Sequence, residues 1–423
     1  MSFSEETLDL IAQGKIDEAH KKFAWALRKD DDDTLYSLAE ELYSYGLSTW
    51  AKRTYTKLLE RYPDEDSLRT ALADIAIGEG NDDEALNYLA SIQPTSPAYL
   101  EALLVAADLY QTQGMFDVSE QKLLTAASLA PDESVIQFAL GELYFNTKQY
   151  TKAIGCYLGL IKQGILNLSQ VNLVQRLGLS YAGAGRFEQA LGYLEQIHDD
   201  QLDNDTKFQL AFTQLQLDRV DDAERNFKKL IDEDSSYGTA YPYLAQIQED
   251  KGDLAQALRT YEEGLAVDEY NTNLYRKTVE IALKLGKTAL AEKLLRQALE
   301  QDPQNMTLVV QLSNLLVELK KDTDNIQLLR QYLGDDEVDP QLYWNLGRVY
   351  ARQDQLALAE ENYDAARTYL GQQDDFTYDA AFFYRNVGRR DDALECINAY
   401  LQRHPNDSTM LDLQDQLMYG RLQ

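Results

Sequence analysis

Apolar residues recur along this chain at helical spacing, in short runs separated by polar turns. Leu140, Tyr144, Tyr150, Ile154 and Tyr157 make up one such pair of runs, and the pattern predicts two helices joined by a turn. A longer period is superposed on the short one. Gly141 is followed twelve residues later by Ala153, Gly178 by Ala190 and Gly347 by Ala359. Ala39, Ala73, Ala211, Ala245 and Ala381 lead in the same way to Ala51, Ala85, Ala223, Ala257 and Ala393. The second members form a ladder of Ala19, Ala51, Ala85, Ser119, Ala153, Ala190, Ala223, Ala257, Ala291, Asn325, Ala359 and Ala393, with most steps 34 residues long.

This pattern predicts a helical hairpin repeated twelve times. A small residue in each helix lets the two axes approach closely. The turns carry Gly at 14, 46, 80, 114, 185, 252, 286 and 388, where a left-handed backbone ends the first helix. Pro63, Pro131, Pro303 and Pro405 follow second helices, where proline stops a helix at little cost.

The spacing of small and aromatic positions resembles that of the tetratricopeptide repeat (TPR) family, from about Ser4 to Pro405. The full-length organisation is also similar to that of the multi-repeat TPR proteins of low-GC Gram-positive bacteria. The resemblance implies an all-α, right-handed α-solenoid whose first helices line a concave groove. Three departures stand out. Three extra residues fall near Gln163–Asn167, the unit around Ser313 has Lys320-Lys321-Asp322 for a glycine turn, and Asn325 replaces Ala. The first and second of these regions are expected to be soft joints. Met410, Leu411, Leu413 and Leu417 predict a C-terminal capping helix within 406–423. Groove chemistry divides the remainder into acidic units at 1–165 and more basic, aromatic units at 166–405.

The residue after each first-helix small position is expected to face the groove. Over four units it is Glu40, Asp74, Asp108 and Glu142, with Tyr36, Tyr43, Phe138 and Phe145 nearby. Such a lining suits an extended basic segment with apolar anchors; the bland reading is a solvated face. Later units offer Arg276, Lys277 and Lys284, then Trp344, Arg348 and Arg352, and finally Tyr378, Phe382 and Arg385. These could accept an acidic segment, or simply pair with neighbouring acids. The family's carboxylate clamp needs Lys and Asn where this chain has Tyr36 with Glu40 and Arg276 with Glu280, so chaperone-tail binding is not carried over.

Charge narrows the partners further. The 423 residues contain 71 Asp and Glu against 40 Lys and Arg, a formal charge of −31, which disfavours nucleic acid and anionic bilayers. An apolar fraction of 44% is enough for a folded core, yet one compact domain of this length would be unusual. Cys156 and Cys396 are far apart, with no metal-site spacing, and the acidic start Met1-Ser2-Phe3-Ser4-Glu5-Glu6 lacks a signal-peptide pattern. No apolar run is long enough to span a bilayer. These features predict a cytoplasmic protein with no cofactor.

Candidate chemistry is sparse. Gly286-Lys287-Thr288 resembles the end of a phosphate loop, but Ile281 stands where that loop needs Gly. His20, His198 and His404 are isolated, and nothing in the sequence orients Cys156 and His198 as a thiol–base pair. Trp25 and Trp50 read as packing residues. Asp30–Asp33 and the acids at 335, 336, 337 and 339 read as solvated loops, with a bound cation as the sharper reading. The expectation is therefore a non-enzymatic interaction scaffold that takes an extended or helical segment of a partner protein in its concave groove. A peptide-sensing regulator of the bacterial TPR type is the other reading; it is weakened because the repeats start almost at Met1, with no basic recognition helix before them.

Overall fold

The structure, a computed structural model, describes residues 2–332 and 339–420, so the acids at 335–337 lie outside the described residues. The chain packs as two compact units, 1–223 and 224–423. The N-terminal unit holds α1 (Phe3–Ala12), α2 (Ile16–Lys29), α3 (Asp32–Ser44), α4 (Ser48–Arg61), α5 (Asp66–Gly78), α6 (Asp82–Ser91) and α7 (Tyr99–Thr112). It continues with α8 (Phe116–Leu129), α9 (Ser134–Asn146), α10 (Tyr150–Lys162), α11 (Leu173–Gly183), α12 (Phe187–Leu194) and α13 (Asn204–Gln216). The boundary falls inside α14 (Val220–Glu233). The C-terminal unit holds α15 (Ala240–Asp250), α16 (Leu254–Val267), α17 (Thr272–Lys284), α18 (Thr288–Gln301), α19 (Met306–Glu318) and α20 (Asp322–Leu329). Beyond these come α21 (Pro340–Arg352), α22 (Leu356–Leu370), α23 (Asp374–Asn386), α24 (Arg390–Leu401) and α25 (Ser408–Tyr419).

These are twelve hairpins and one further helix, the predicted all-α repeat architecture. First and second helices pack on each other, as α3 on α4 and α21 on α22, and some first helices also pack on the next, as α5 on α7. All twelve ladder residues are 0% exposed, including Ser119 and Asn325. A larger side chain there would have to displace the facing helix.

The turn inside each of the twelve hairpins is left-handed at one residue. The eight turn glycines have φ between 69° and 83°, and Lys148, Asp218, Lys320 and Asp354 take the same place at 56° to 60°. The turn without glycine at Lys320 thus keeps the backbone path of its neighbours.

The three extra residues after α10 are absorbed by a small β-hairpin, which the sequence pattern did not predict. Strand β1 (Asn167–Leu168) pairs antiparallel with β2 (Val171–Asn172), and Ser169 and Gln170 turn at φ 48° and 64°. Positive φ at both turn residues matches the twist of two flanking strands. Asn172 then caps α11, accepting from the amides of Val174 and Gln175. Leu160 of α10 and Leu173 and Leu177 of α11 share one buried cluster. In the capping helix α25, Met410 and Leu413 are buried against the last hairpin, while Leu411 faces solvent.

Candidate functional site

On the N-terminal unit, α3 presents Tyr36, Glu40 and Tyr43, α5 presents Asp74, and α7 presents Glu101 and Asp108. Ala39, Ala73 and Ala107, each 1% exposed or less, anchor these helices and fix which neighbours face outward. The outward residues form one electrostatic cluster. The Tyr43 hydroxyl is raised above its ordinary value by burial first, then by its hydrogen bond to the Asp74 carboxylate and the charge of Asp108. Tyr36 is raised by burial and by Glu40, Glu101 and Glu65, and its ring meets Tyr55 edge-on at 5.9 Å. Asp108 is surface-exposed, yet protein around it desolvates its carboxyl and pushes its pKa up, with Asp74 adding to the shift. Glu40, Asp74, Glu101 and Asp108 have no Lys or Arg at ion-pair distance among the described residues.

The fourth expected rung is different. Glu142 accepts from the Tyr157 hydroxyl at 2.6 Å and pairs with Arg176 at 3.1 Å. The same guanidinium lies 4.6 Å from the centre of the Phe145 ring, and Phe145 also meets Tyr150 edge-on at 5.9 Å. Phe138 is half-buried against the surrounding core. Glu142 is therefore neutralised within the fold, and Phe145 is covered by a cation of the chain itself.

The C-terminal unit spends most of its expected basic residues internally. Trp344 is only 8% exposed; its indole N–H donates to Asp379 at 2.7 Å, and Tyr363 donates to the same oxygen at 2.6 Å. Arg348 lies 4.0 Å from Asp379 and 5.6 Å from the Trp344 ring centre. Arg352 forks onto Asp322, with Nε at 3.2 Å from both carboxylate oxygens. Lys277 and Lys284 reach Glu249 at 3.4 and 3.0 Å, while Arg276 donates to Asn273. Arg385 is exposed, stacks 5.3 Å over Phe382 and, among the described residues, has Asn386 as its one side-chain hydrogen-bond partner. Tyr378 packs on Phe382 and Tyr400 at 5.3 and 5.4 Å. A cavity of ≈ 640 Å³ between α21, α23 and the end of α24 is lined by Trp344, Arg348, Tyr378 and Tyr400, with Asp374, Asp375 and Asp379. Hydrogen bonds from His404 and Arg403 hold the Asp374 carboxyl below its usual range.

Sequence reasoning missed Glu101, Arg176, Phe208 and Phe212. Phe208 and Phe212 flank Ala211 at the offsets that Tyr36 and Glu40 take around Ala39, and their rings stack at 6.2 Å. Extending the offset rule to every unit would have found them. No local signal marks Arg176, whose role comes from a partner on the preceding hairpin.

The expected solvated run at Asp30–Asp33 is largely structural. Asp30 accepts from the Ser4 amide and hydroxyl, both at 2.7 Å, Asp31 caps α3, and Asp32 accepts from Tyr62 at 2.6 Å and from Arg61. Asp339 caps α21. Burial pushes the thiols of Cys156 and Cys396 up to about 11, which keeps them protonated and poorly nucleophilic. Among the described residues no group of three or more His, Cys, Asp or Glu is placed to hold a metal ion. No described helix is long and apolar enough to cross a membrane.

The chain matches the family description "YpiA-like, tetratricopeptide repeats" over residues 111–165 and its C-terminal counterpart over 340–407. General tetratricopeptide repeat families match 208–273 and 282–350. The TPR repeat-containing protein YpiA of Bacillus subtilis is 33% identical over 419 residues, covering 97% of this chain and 98% of that protein. The chain belongs to the YpiA-like family of TPR proteins. The BBSome complex member BBS4 of Bos taurus is 25% identical over 285 residues, covering 64% of this chain and 53% of that protein. A solved structure described as YrrB, a TPR protein with an unusual peptide-binding site, is 21% identical with a TM-score of 0.36, covering 45% of this chain and 97% of that one. A YpiA-like TPR protein is a repeat scaffold for protein interaction, not a member of a known enzyme class.

Proposed function

We propose that this YpiA-like scaffold takes a basic, extended segment of a partner protein along the first-helix face of its N-terminal units, in the cytoplasm. One observation carries the reading: Glu40, Asp74 and Asp108 lie beside Tyr36 and Tyr43 with no cation of the chain at ion-pair distance. Unneutralised carboxylates next to aromatic rings provide charge for Lys or Arg heads and apolar surface for their stems. The acidic division at 1–165 is kept for the rungs up to Asp108; Glu142 serves the internal pair with Arg176.

The C-terminal lining at 166–405 is proposed as a second contact region. Arg385 on Phe382, whose ring packs against Tyr378, is its open feature, where a carboxylate of the partner could land. Trp344, Arg348 and Arg352 contribute there by shaping the wall, since each already has an acidic partner.

Titration calorimetry with a synthetic Lys- and Tyr-containing peptide tests the proposal. The variant E40K/D74K/D108K should lose the interaction, and R385E should leave it unchanged. Equal affinity of wild type and triple variant would overturn the reading.

A further inference from the structure

Two second helices, α2 and α4, carry a charge opposite to that of the chain. Helices α2 and α4 together hold eight Lys or Arg against three Asp or Glu, in a protein of formal charge −31. They face each other across a cleft of ≈ 520 Å³, lined by Ala24, Leu27 and Arg28 from α2 and by Thr49, Lys52, Arg53, Thr56, Lys57 and one carboxylate, Glu60, from α4.

Some of these cations are already spent. Lys52 pairs with Glu79 and Glu84 at 2.9 and 2.8 Å, Lys22 pairs with Glu6, and Arg61 pairs with Asp32. The Lys57 ammonium donates to the Leu27 carbonyl, near the negative end of the α2 dipole, which seats it in the cleft without cancelling its charge. Arg28 and Arg53 are exposed, and among the described residues neither has a carboxylate at ion-pair distance. Arg53 is steadied by the Phe23 ring at 6.0 Å. Three cations thus converge on a cleft with an apolar floor at Ala24 and Leu27 and a hydroxyl at each of Thr49 and Thr56.

We propose that this α2/α4 cleft is a second docking surface, for a short acidic segment of another protein. Guanidinium groups recognise carboxylates by paired hydrogen bonds, and the apolar floor takes an intervening aliphatic side chain. Length follows from electrostatics. At physiological salt charges beyond about 8 Å are screened, so a short segment lying in the cleft feels the local cations. A nucleic-acid backbone or an anionic bilayer extends past them and meets the acidic remainder of the chain. The surface is separate from the first-helix face that the basic segment would occupy.

The test uses the full chain and a fluorescent synthetic peptide of about ten residues alternating Glu and Leu. Fluorescence anisotropy should show saturable binding that weakens as salt is raised. R28E/R53E should lower the affinity by roughly tenfold or more, with R28Q/R53Q intermediate. K21E/K29E, the same change in net charge on exposed α2 residues outside the cleft lining, should leave the affinity within about twofold. Far-UV circular dichroism shows that the variants fold. Equal losses from the two charge-reversed pairs, or no peptide binding, would overturn the proposal. So would tighter binding of a DNA duplex or a phosphatidylserine vesicle that R28E/R53E removes, or self-association of the chain abolished by that pair.

Discussion

Gly141 lies against the ring of Tyr157, so that a methyl group at position 141 would stand 2.8 Å from Tyr157 Cε1. The same relation recurs between Gly347 and Tyr363, where the distance would be 2.7 Å. Both tyrosine rings are at most 2% exposed and have no room to retreat. Ala39 with Tyr55 and Ala245 with Tyr261 repeat the spacing with a methyl present. Gly141→Ala and Gly347→Ala should therefore each destabilise the protein by about 1–3 kcal/mol, despite the better helix propensity of alanine. Urea unfolding checks this; a gain in stability for both would show that the hairpins can spread at no cost.

The two departures from alanine on the ladder carry buried polar atoms that have no partner among the described residues, the Ser119 hydroxyl and both side-chain heteroatoms of Asn325. Leaving a buried amide unsatisfied costs about 1–3 kcal/mol. Asn325→Ala should accordingly raise stability by roughly 1 kcal/mol or more, and Ser119→Ala by a smaller amount. Chemical denaturation of each variant decides the matter, and destabilisation by Asn325→Ala would mean that the amide has a role the ladder does not need.

Asp108 predicts a pH dependence for binding. Its folded pKa lies above the ordinary 3.8, so the proton favours the unliganded fold and is shed as pH rises through the raised value. A cationic segment needs the ionised form. Affinity for a basic peptide should rise with pH across that window, with proton release measurable by calorimetry in buffers of different ionisation enthalpy. Asp108→Asn should abolish the released proton, raise the melting temperature at pH 7 by removing the strain with Asp74, and weaken peptide binding by roughly tenfold.

Asp392 has the opposite sign. Hydrogen bonds from Arg367 at 2.6 Å and Arg389 at 2.8 Å hold its carboxyl below 3.8. Its stabilisation is present above the unfolded pKa and is lost as pH falls through the lower folded value. The group is partly solvated, so Asp392→Asn should cost about 1 kcal/mol or less near pH 7. The deficit should shrink in unfolding curves recorded as pH falls from the ordinary value through the lowered folded one.

The extra residues near Gln163–Asn167 suggest a soft joint in the stack. Leu160, Leu173 and Leu177 instead share one core across the insertion. Hydrogen exchange should therefore find the hairpin amides open while the ends of α10 and α11 are protected, and rapid exchange of both helices would contradict the packing.

Helical hairpins, their number and the terminal cap were legible because each unit repeats one steric demand, a small residue in each helix. The β-hairpin at Asn167–Asn172 was not, since two-residue strands leave no periodic trace. Within the candidate site, sequence offsets located Glu40, Asp74 and Asp108 on one face. They could not reveal that Glu142 is claimed by Arg176, or that Trp344 turns inward to Asp379, because both outcomes depend on the reach of a side chain from a neighbouring hairpin. The cleft between α2 and α4 was hidden for a related reason: its cations are scattered in sequence and gather only when second helices lie side by side.

Four of the twelve bends, at Lys148, Asp218, Lys320 and Asp354, force an L-amino acid into a backbone state that glycine adopts without penalty. Glycine placed at any of them would relieve a local backbone load at the bend between the two helices of a hairpin. The local stability of individual repeats can thus be tuned one bend at a time, without changing a core side chain.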